Sequence, residues 1–238
     1  MSQETKLKEK ETEEQKEKEV VVVETKSKAS QRLALRSLLQ QLQIIKLKEW
    51  LVMAGFVGGA SALRVGMQFW PNVEPLTFFA LLSGWLFGKR KGALVGISSL
   101  YFSNFLVFGG QGPWTIYQAI AYGIAGFLGG FLRKKASVFE TVGFMLVATV
   151  ILQTIFNIGF ALSVGGNILL AFVTGIPFLI PHVISNSVFG LFLPLGKKLV
   201  DKVGRFNEKE ICDNVLDRAR NGPLKQWVPD GKSAEEPK

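Results

Sequence analysis

Charge is what the middle of this sequence lacks. Between Trp50 and Lys197 the charged side chains are Arg64, Glu74, the cluster Lys89-Arg90-Lys91, the cluster Arg133-Lys134-Lys135 and Glu140. Aspartate is absent from that stretch, and the whole chain has one cysteine, Cys212, and one histidine, His182. A lone cysteine excludes an internal disulfide and a cysteine-cluster metal site. A lone histidine leaves no zinc site built from the usual protein ligands and no HExxH motif. Without intramembrane Asp pairs, a pump running on carboxylate relays is poorly supported. The run Gly84-Trp85-Leu86-Phe87-Gly88-Lys89-Arg90 has the wrong spacing for a phosphate loop, and no Ser or Thr follows its Lys. No catalytic residues, metal or cofactor are therefore expected.

What is present is apolar length. The chain has 238 residues, 48% of them hydrophobic, and a net charge of +9. The basic residues bracket apolar runs instead of forming one solvated stripe, which argues against nucleic acid as the partner. The fold expected is an all-α integral membrane protein with membrane lipid around it. Six spans are read at about 50–69, 75–88, 92–108, 113–132, 138–164 and 169–195, the second of them short. Residues 1–29 alternate Lys and Glu and read as a charged flexible tail; with no apolar signal run there, insertion is expected to use the first span. Residues 30–48 carry Leu35, Leu38, Leu39, Leu42 and Ile45 at helical spacing, with Ser30 as an N-cap. They read as an amphipathic helix, lying either on the membrane surface or against a soluble partner. The membrane domain is expected over 49–199. A cytoplasmic tail follows over 200–238, with Asn207 and Glu210 as a capping box and Gly222-Pro223 as a stop.

Topology follows from the basic clusters. The connections at 89–91 and 133–135, and the flanks Lys46, Lys48, Lys197 and Lys198, are basic. The connections at 71–74, 109–112 and 163–167 contain no Lys or Arg. This alternation predicts a cell-membrane protein with both termini in the cytoplasm.

Depth then sorts the polar side chains. At about 1.5 Å per helical residue, Arg64, Asn104, Gln118, Gln153, Asn157, His182 and Asn186 all fall in the outer half of a hydrocarbon layer about 30 Å thick. Unpaired polar groups are costly there, so they should face one another, water or a ligand. The expected object is a pocket open to the outside and sealed below. Its candidate substrate-binding residues are Arg64, Asn72, Glu74, Asn104, Trp114, Gln118, Asn157, His182 and Asn186. Arg64 and Glu74 have an alternative as a structural ion pair, the asparagines and His182 as interhelical hydrogen-bond partners, and Trp114 as part of an interfacial aromatic belt. Ala54, Gly58 and Ala62, four residues apart, form a ridge on which another membrane helix can dock closely.

The run from Ala62-Leu63-Arg64 through Asn72-Val73-Glu74-Pro75-Leu76-Thr77 resembles the substrate-binding S component of energy-coupling factor (ECF) vitamin transporters. Gly88 to Gly96, Ser103-Asn104, Gly112-Pro113-Trp114-Thr115 and Ser185-Asn186 add to that likeness, which covers roughly residues 50–200. The resemblance implies a subunit that binds a small water-soluble, vitamin-like ligand near the outer face. It implies as partners a transmembrane coupling subunit and two cytoplasmic ATPases, on which the subunit topples within the bilayer to import its ligand. The Ala-x-x-x-Ala contact of that family maps onto Ala54, Gly58 and Ala62, with Gly at the middle position here. A standalone facilitator or channel, and a scaffold that transports nothing, are the other readings of the same residues.

Overall fold

The computed structural model describes residue 40, residues 43–70 and residues 72–203. The charged N-terminal tail, most of the expected amphipathic helix with Ser30, and the C-terminal capping box lie outside the described residues. The chain divides into two compact units, Met1–Leu47 and Lys48–Lys238, and the helical bundle belongs to the second.

The described residues are all-helical. Six helices follow in order: α1 (Gln43–Met67), α2 (Leu76–Phe87), α3 (Lys89–Ser103), α4 (Trp114–Gly129), α5 (Val138–Val164) and α6 (Ile168–Val203). Of these, α1, α5 and α6 are long and apolar enough to cross a membrane. The others are shorter. With 12, 15 and 16 residues, α2, α3 and α4 are roughly 18–24 Å long. Exposed apolar side chains such as Leu51, Phe139, Ile158, Val173 and Ile184 form the surface that a lipid environment solvates.

Boundaries follow local chemistry. The structure begins α5 where Ser137 accepts a hydrogen bond from the Glu140 amide at 3.2 Å, and ends it at Gly165 in the left-handed conformation. The Glu140 carboxylate does not return to the cap. It binds Arg133, whose Nε donates at 2.8 Å. Asn167 caps α6 by accepting from the Leu169 amide at 2.8 Å. The third helix ends at Ser103, five residues short of the expected limit at Phe108. Residues 104–109 turn instead, closing on Gly109 and Gly110 at positive φ.

The short helices pack through glycine. A Cβ on Gly84 would collide with the Gly126 carbonyl, one on Gly126 with the Gly92 carbonyl, and one on Gly92 with the Gly84 backbone. Gly96 and Gly129 likewise meet the Tyr122 and Leu81 carbonyls. Backbones thus touch where side chains would hold helices apart, which maximises van der Waals contact between them. By contrast α1 packs through side chains, with Phe56 ring to ring against Phe79 and Phe87.

α5 and α6 run antiparallel, and α6 contains Pro177, Pro181 and Pro194. Pro194 has no N–H to offer the Gly190 carbonyl. Thr141 of α5 supplies that hydrogen bond instead, at 3.0 Å.

Basic groups collect at one end of the bundle. Lys91 Nζ binds both oxygens of the buried Glu49 at 2.7 and 2.8 Å. Trp85 Nε1 donates to the Arg133 carbonyl at 2.9 Å, and Lys197 lies 5.5 Å from the Trp85 ring. Lys89 sits 3.4 Å from the Phe131 ring centroid.

Gly126→Ala should therefore destabilise the protein by about 3 kcal/mol or more, since an added methyl meets backbone on α3 and α4 cannot yield locally. Gly58→Ala, where no atom lies within 4 Å of the added Cβ, should stay within about 1 kcal/mol of the parent. Thermal or denaturant unfolding in detergent separates the two.

Candidate functional site

At the opposite end, the end of the 68–75 connection, the end of α3 and the beginning of α4 meet the last turns of α1. Arg64 Nη1 donates to Asn104 Oδ1 at 2.6 Å and to Ser103 Oγ at 2.8 Å. Its Nη2 lies 3.6 Å from Glu74 Oε1. The other Glu74 oxygen accepts a hydrogen bond from Tyr122. Asn104 Nδ2 donates to Thr115 Oγ1 at 3.2 Å, and that hydroxyl also accepts from the Gly112 amide at 3.1 Å. One guanidinium fork thus ties three segments together, a geometry an ammonium could not reproduce. Arg64 and Glu74 keep only 12% and 23% of their side-chain surface.

The lone polar residues Arg64, Glu74 and Asn104 are legible as candidates in the sequence, and the structure brings them together. Ser103, Thr115 and Tyr122 complete the cluster and are not among the candidates read from the sequence. A signal for Tyr122 exists: it is one of three tyrosines in the chain and is fully buried, which in an apolar helix asks for a partner.

Asn72 plays a different part. It holds a positive φ of 61°, donates from Nδ2 to the Phe178 carbonyl at 2.6 Å, and accepts at its own carbonyl from Ser185 Oγ at 3.2 Å. It fastens the connection before α2 to the stretch of α6 around Pro181, through Phe178 and Ser185.

His182 and Asn186 lie one turn apart on α6, 2% and 0% exposed. Asn186 Nδ2 donates to Thr149 Oγ1 of α5 at 2.8 Å. Its Oδ1, both ring nitrogens of His182, Thr77 Oγ1 and Gln118 Oε1 are buried without a hydrogen-bond partner. Phe78 lies near Phe189 and Gly196 faces Phe78 and Leu82, so α2 and α6 run side by side. Buried polar atoms are nearly always satisfied, and each orphan calls for a water or a ligand.

Two candidates stand elsewhere. Trp114 is 44% exposed, with its ring against Gly112. Asn157 pairs with Gln153, whose Nε2 donates to its Oδ1 at 3.0 Å, in a recess between α5 and α6. Its depth along the sequence predicts convergence with Arg64, but its face of the helix points to α6. Ala54, Gly58 and Ala62 are all exposed. Among the described residues, no group of three or more His, Cys, Asp and Glu could hold a metal.

Arg64→Ala should cost about 1–3 kcal/mol of stability, because it removes the donor shared by Ser103 and Asn104 and leaves the half-buried Glu74 carboxylate with Tyr122 as its remaining partner. Adding Glu74→Gln should recover part of that loss. A double-mutant cycle measured by unfolding in detergent should give a coupling above about 1 kcal/mol.

No curated protein and no solved structure matches this chain. A family model matches residues 45–206, which takes in all six described helices but for the first residues of α1. The chain belongs to DUF6580, a family of unknown function.

Proposed function

We propose that this protein is the substrate-binding membrane subunit of an ECF-type importer. Its six helices cross the cell membrane with both termini in the cytoplasm, and it binds a vitamin-like solute at the outer face. The observation that carries the reading is the set of buried, partnerless polar atoms on Thr77, Gln118, His182 and Asn186, taken with a charged cluster at the end remote from the basic residues. Lys and Arg bias marks the basic end as cytoplasmic. The orphaned atoms then sit toward the outside, where a water-soluble ligand arrives.

The ligand chemistry is narrowed by what Arg64 already does. Its guanidinium is engaged by Ser103, Asn104 and Glu74, so its charge is largely matched before any ligand arrives. The partnerless groups are Asn186 Oδ1, Gln118 Oε1, the Thr77 hydroxyl and both ring nitrogens of His182, and the two amide oxygens can only accept. They favour an uncharged ring compound bearing N–H or O–H groups over an anion held by Arg64.

The exposed ridge Ala54, Gly58 and Ala62 supports a docking partner. Gly58 has open space around it, and small residues let a second transmembrane helix approach closely. ATP hydrolysis belongs, in this reading, to two cytoplasmic partner subunits coupled through that helix.

Native mass spectrometry of the protein purified from its own membrane tests this directly. It should show a coupling subunit, two ATPases and a bound solute of vitamin size. Replacing Ala54, Gly58 and Ala62 together by Leu should strip the partners and keep the solute. Replacing His182 and Asn186 by Ala should weaken solute binding by about tenfold or more and keep the partners. Efficient uptake into vesicles containing this protein and no ATPase would overturn the proposal in favour of a facilitator.

A further inference from the structure

The recess between α5 and α6 has a polar floor that nothing in the protein satisfies. Its volume is about 300 Å³, at the small end of the range for ligand sites. Val150, Phe172, Val173, Ile176 and Leu179 wall it. Gln153 and Asn157, 7% and 8% exposed, form the floor. Their one mutual hydrogen bond uses Gln153 Nε2 and Asn157 Oδ1. Gln153 Oε1 and Asn157 Nδ2 then remain, an acceptor and a donor side by side, and no protein group bonds to either. Exchanging oxygen and nitrogen in both amides gives the same result: one free acceptor and one free donor.

The floor is shaped for this. A Cβ on Gly175 would lie 2.6 Å from Asn157 Oδ1 and 2.7 Å from its Nδ2. Gly175 is therefore the residue that gives the Asn157 amide its place against α6. The mouth is apolar and outward facing, with Val150 55%, Val173 56% and Ile176 52% exposed. Access is from the surface that lipid covers, not from the charged cluster. That cluster is built from α1, α3, α4 and the connection before α2, and shares no residue with the recess.

We propose that this recess is a second binding site, which takes a lipid-soluble molecule with a hydrocarbon body and one uncharged group presenting a donor and an acceptor together. A primary amide has that edge, as does a lactam, whose ring holds the amide cis; so does a protonated carboxylic acid. An ester has acceptors only and leaves Gln153 Oε1 unpaired in an apolar setting, at the cost of an unsatisfied buried group. A charged headgroup is disfavoured, because the walls offer no counter-charge. The site stands on its own geometry and does not depend on the importer reading.

The test compares a long-chain primary amide with the methyl ester of the same chain, each titrated into the purified full-length protein in detergent. Bound molecules are counted by native mass spectrometry, and the thermal midpoint is followed in parallel. The amide should bind about tenfold more tightly than the ester, the worth of one hydrogen bond to a group otherwise left unpaired. Gln153→Met, which keeps the volume and removes the acceptor, should erase that preference. Val173→Trp, at a lipid-facing position, should block both ligands while leaving the amide pair intact. Equal binding of amide and ester overturns the proposal. So does an amide affinity that neither variant changes.

Discussion

The backbones of α2, α3 and α4 touch at Gly84, Gly92 and Gly126, and the rest of the structure depends on that contact. Helices of 12 to 16 residues each bury little side chain, so close backbone approach carries more of their packing. Removing the Cβ brings the axes together and replaces side-chain fit with direct backbone packing. The polar cluster inherits its geometry from this unit. Asn104 closes α3, Thr115 opens α4, Tyr122 lies one helical stretch further on, and Glu74 precedes α2. Each is placed by a helix whose position glycine has fixed.

The first helix is held to that unit differently, by charge at both ends. Glu49 meets Lys91 at one end, and Arg64 meets Ser103 and Asn104 at the other. Between them lie aromatic contacts, which tolerate sliding better than a bidentate pair does. The two polar clamps therefore set the register of α1. The small residues Ala54 and Gly58 of the same helix line an exposed recess shared with Leu94, Ser98 and Phe102 of α3, with open space around Gly58.

Much of this was legible in the sequence, for identifiable reasons. The limits of α5 coincide with the apolar span read at 138–164, and in the structure Ser137 and Gly165 cap it at those points. The early end of α3 was not legible. Phe105, Leu106, Val107 and Phe108 continue an apolar run that reads like helix, yet Phe105 and Phe108 are 63% and 80% exposed in a turn. Hydropathy reports the solvent, not the backbone conformation. Arg64, Glu74 and Asn104 stood out because a strongly polar side chain in an apolar run needs a partner. Ser103 and Thr115 did not, since hydroxyls in membrane helices commonly bond their own backbone, as Ser103 also does to the Leu100 carbonyl. Depth placed Gln153 and Asn157 beside the cluster; only their angular position on α5, set by packing against α6, separates them from it. Glu49 escaped notice because it falls just outside the first apolar run, among exposed lysines.

The pairing of Arg64 with Glu74 has an electrical consequence. A single charge carried through a membrane potential of 100 mV experiences about 2.3 kcal/mol of work. Here cation and anion lie 3.6 Å apart, roughly an eighth of the hydrocarbon thickness. Voltage grips such a pair as a small dipole and nearly cancels over any displacement the two share. A motion that moves this cluster across the bilayer as one body is thus electrically almost silent, and it costs nearly the same in an energised membrane as in a depolarised one.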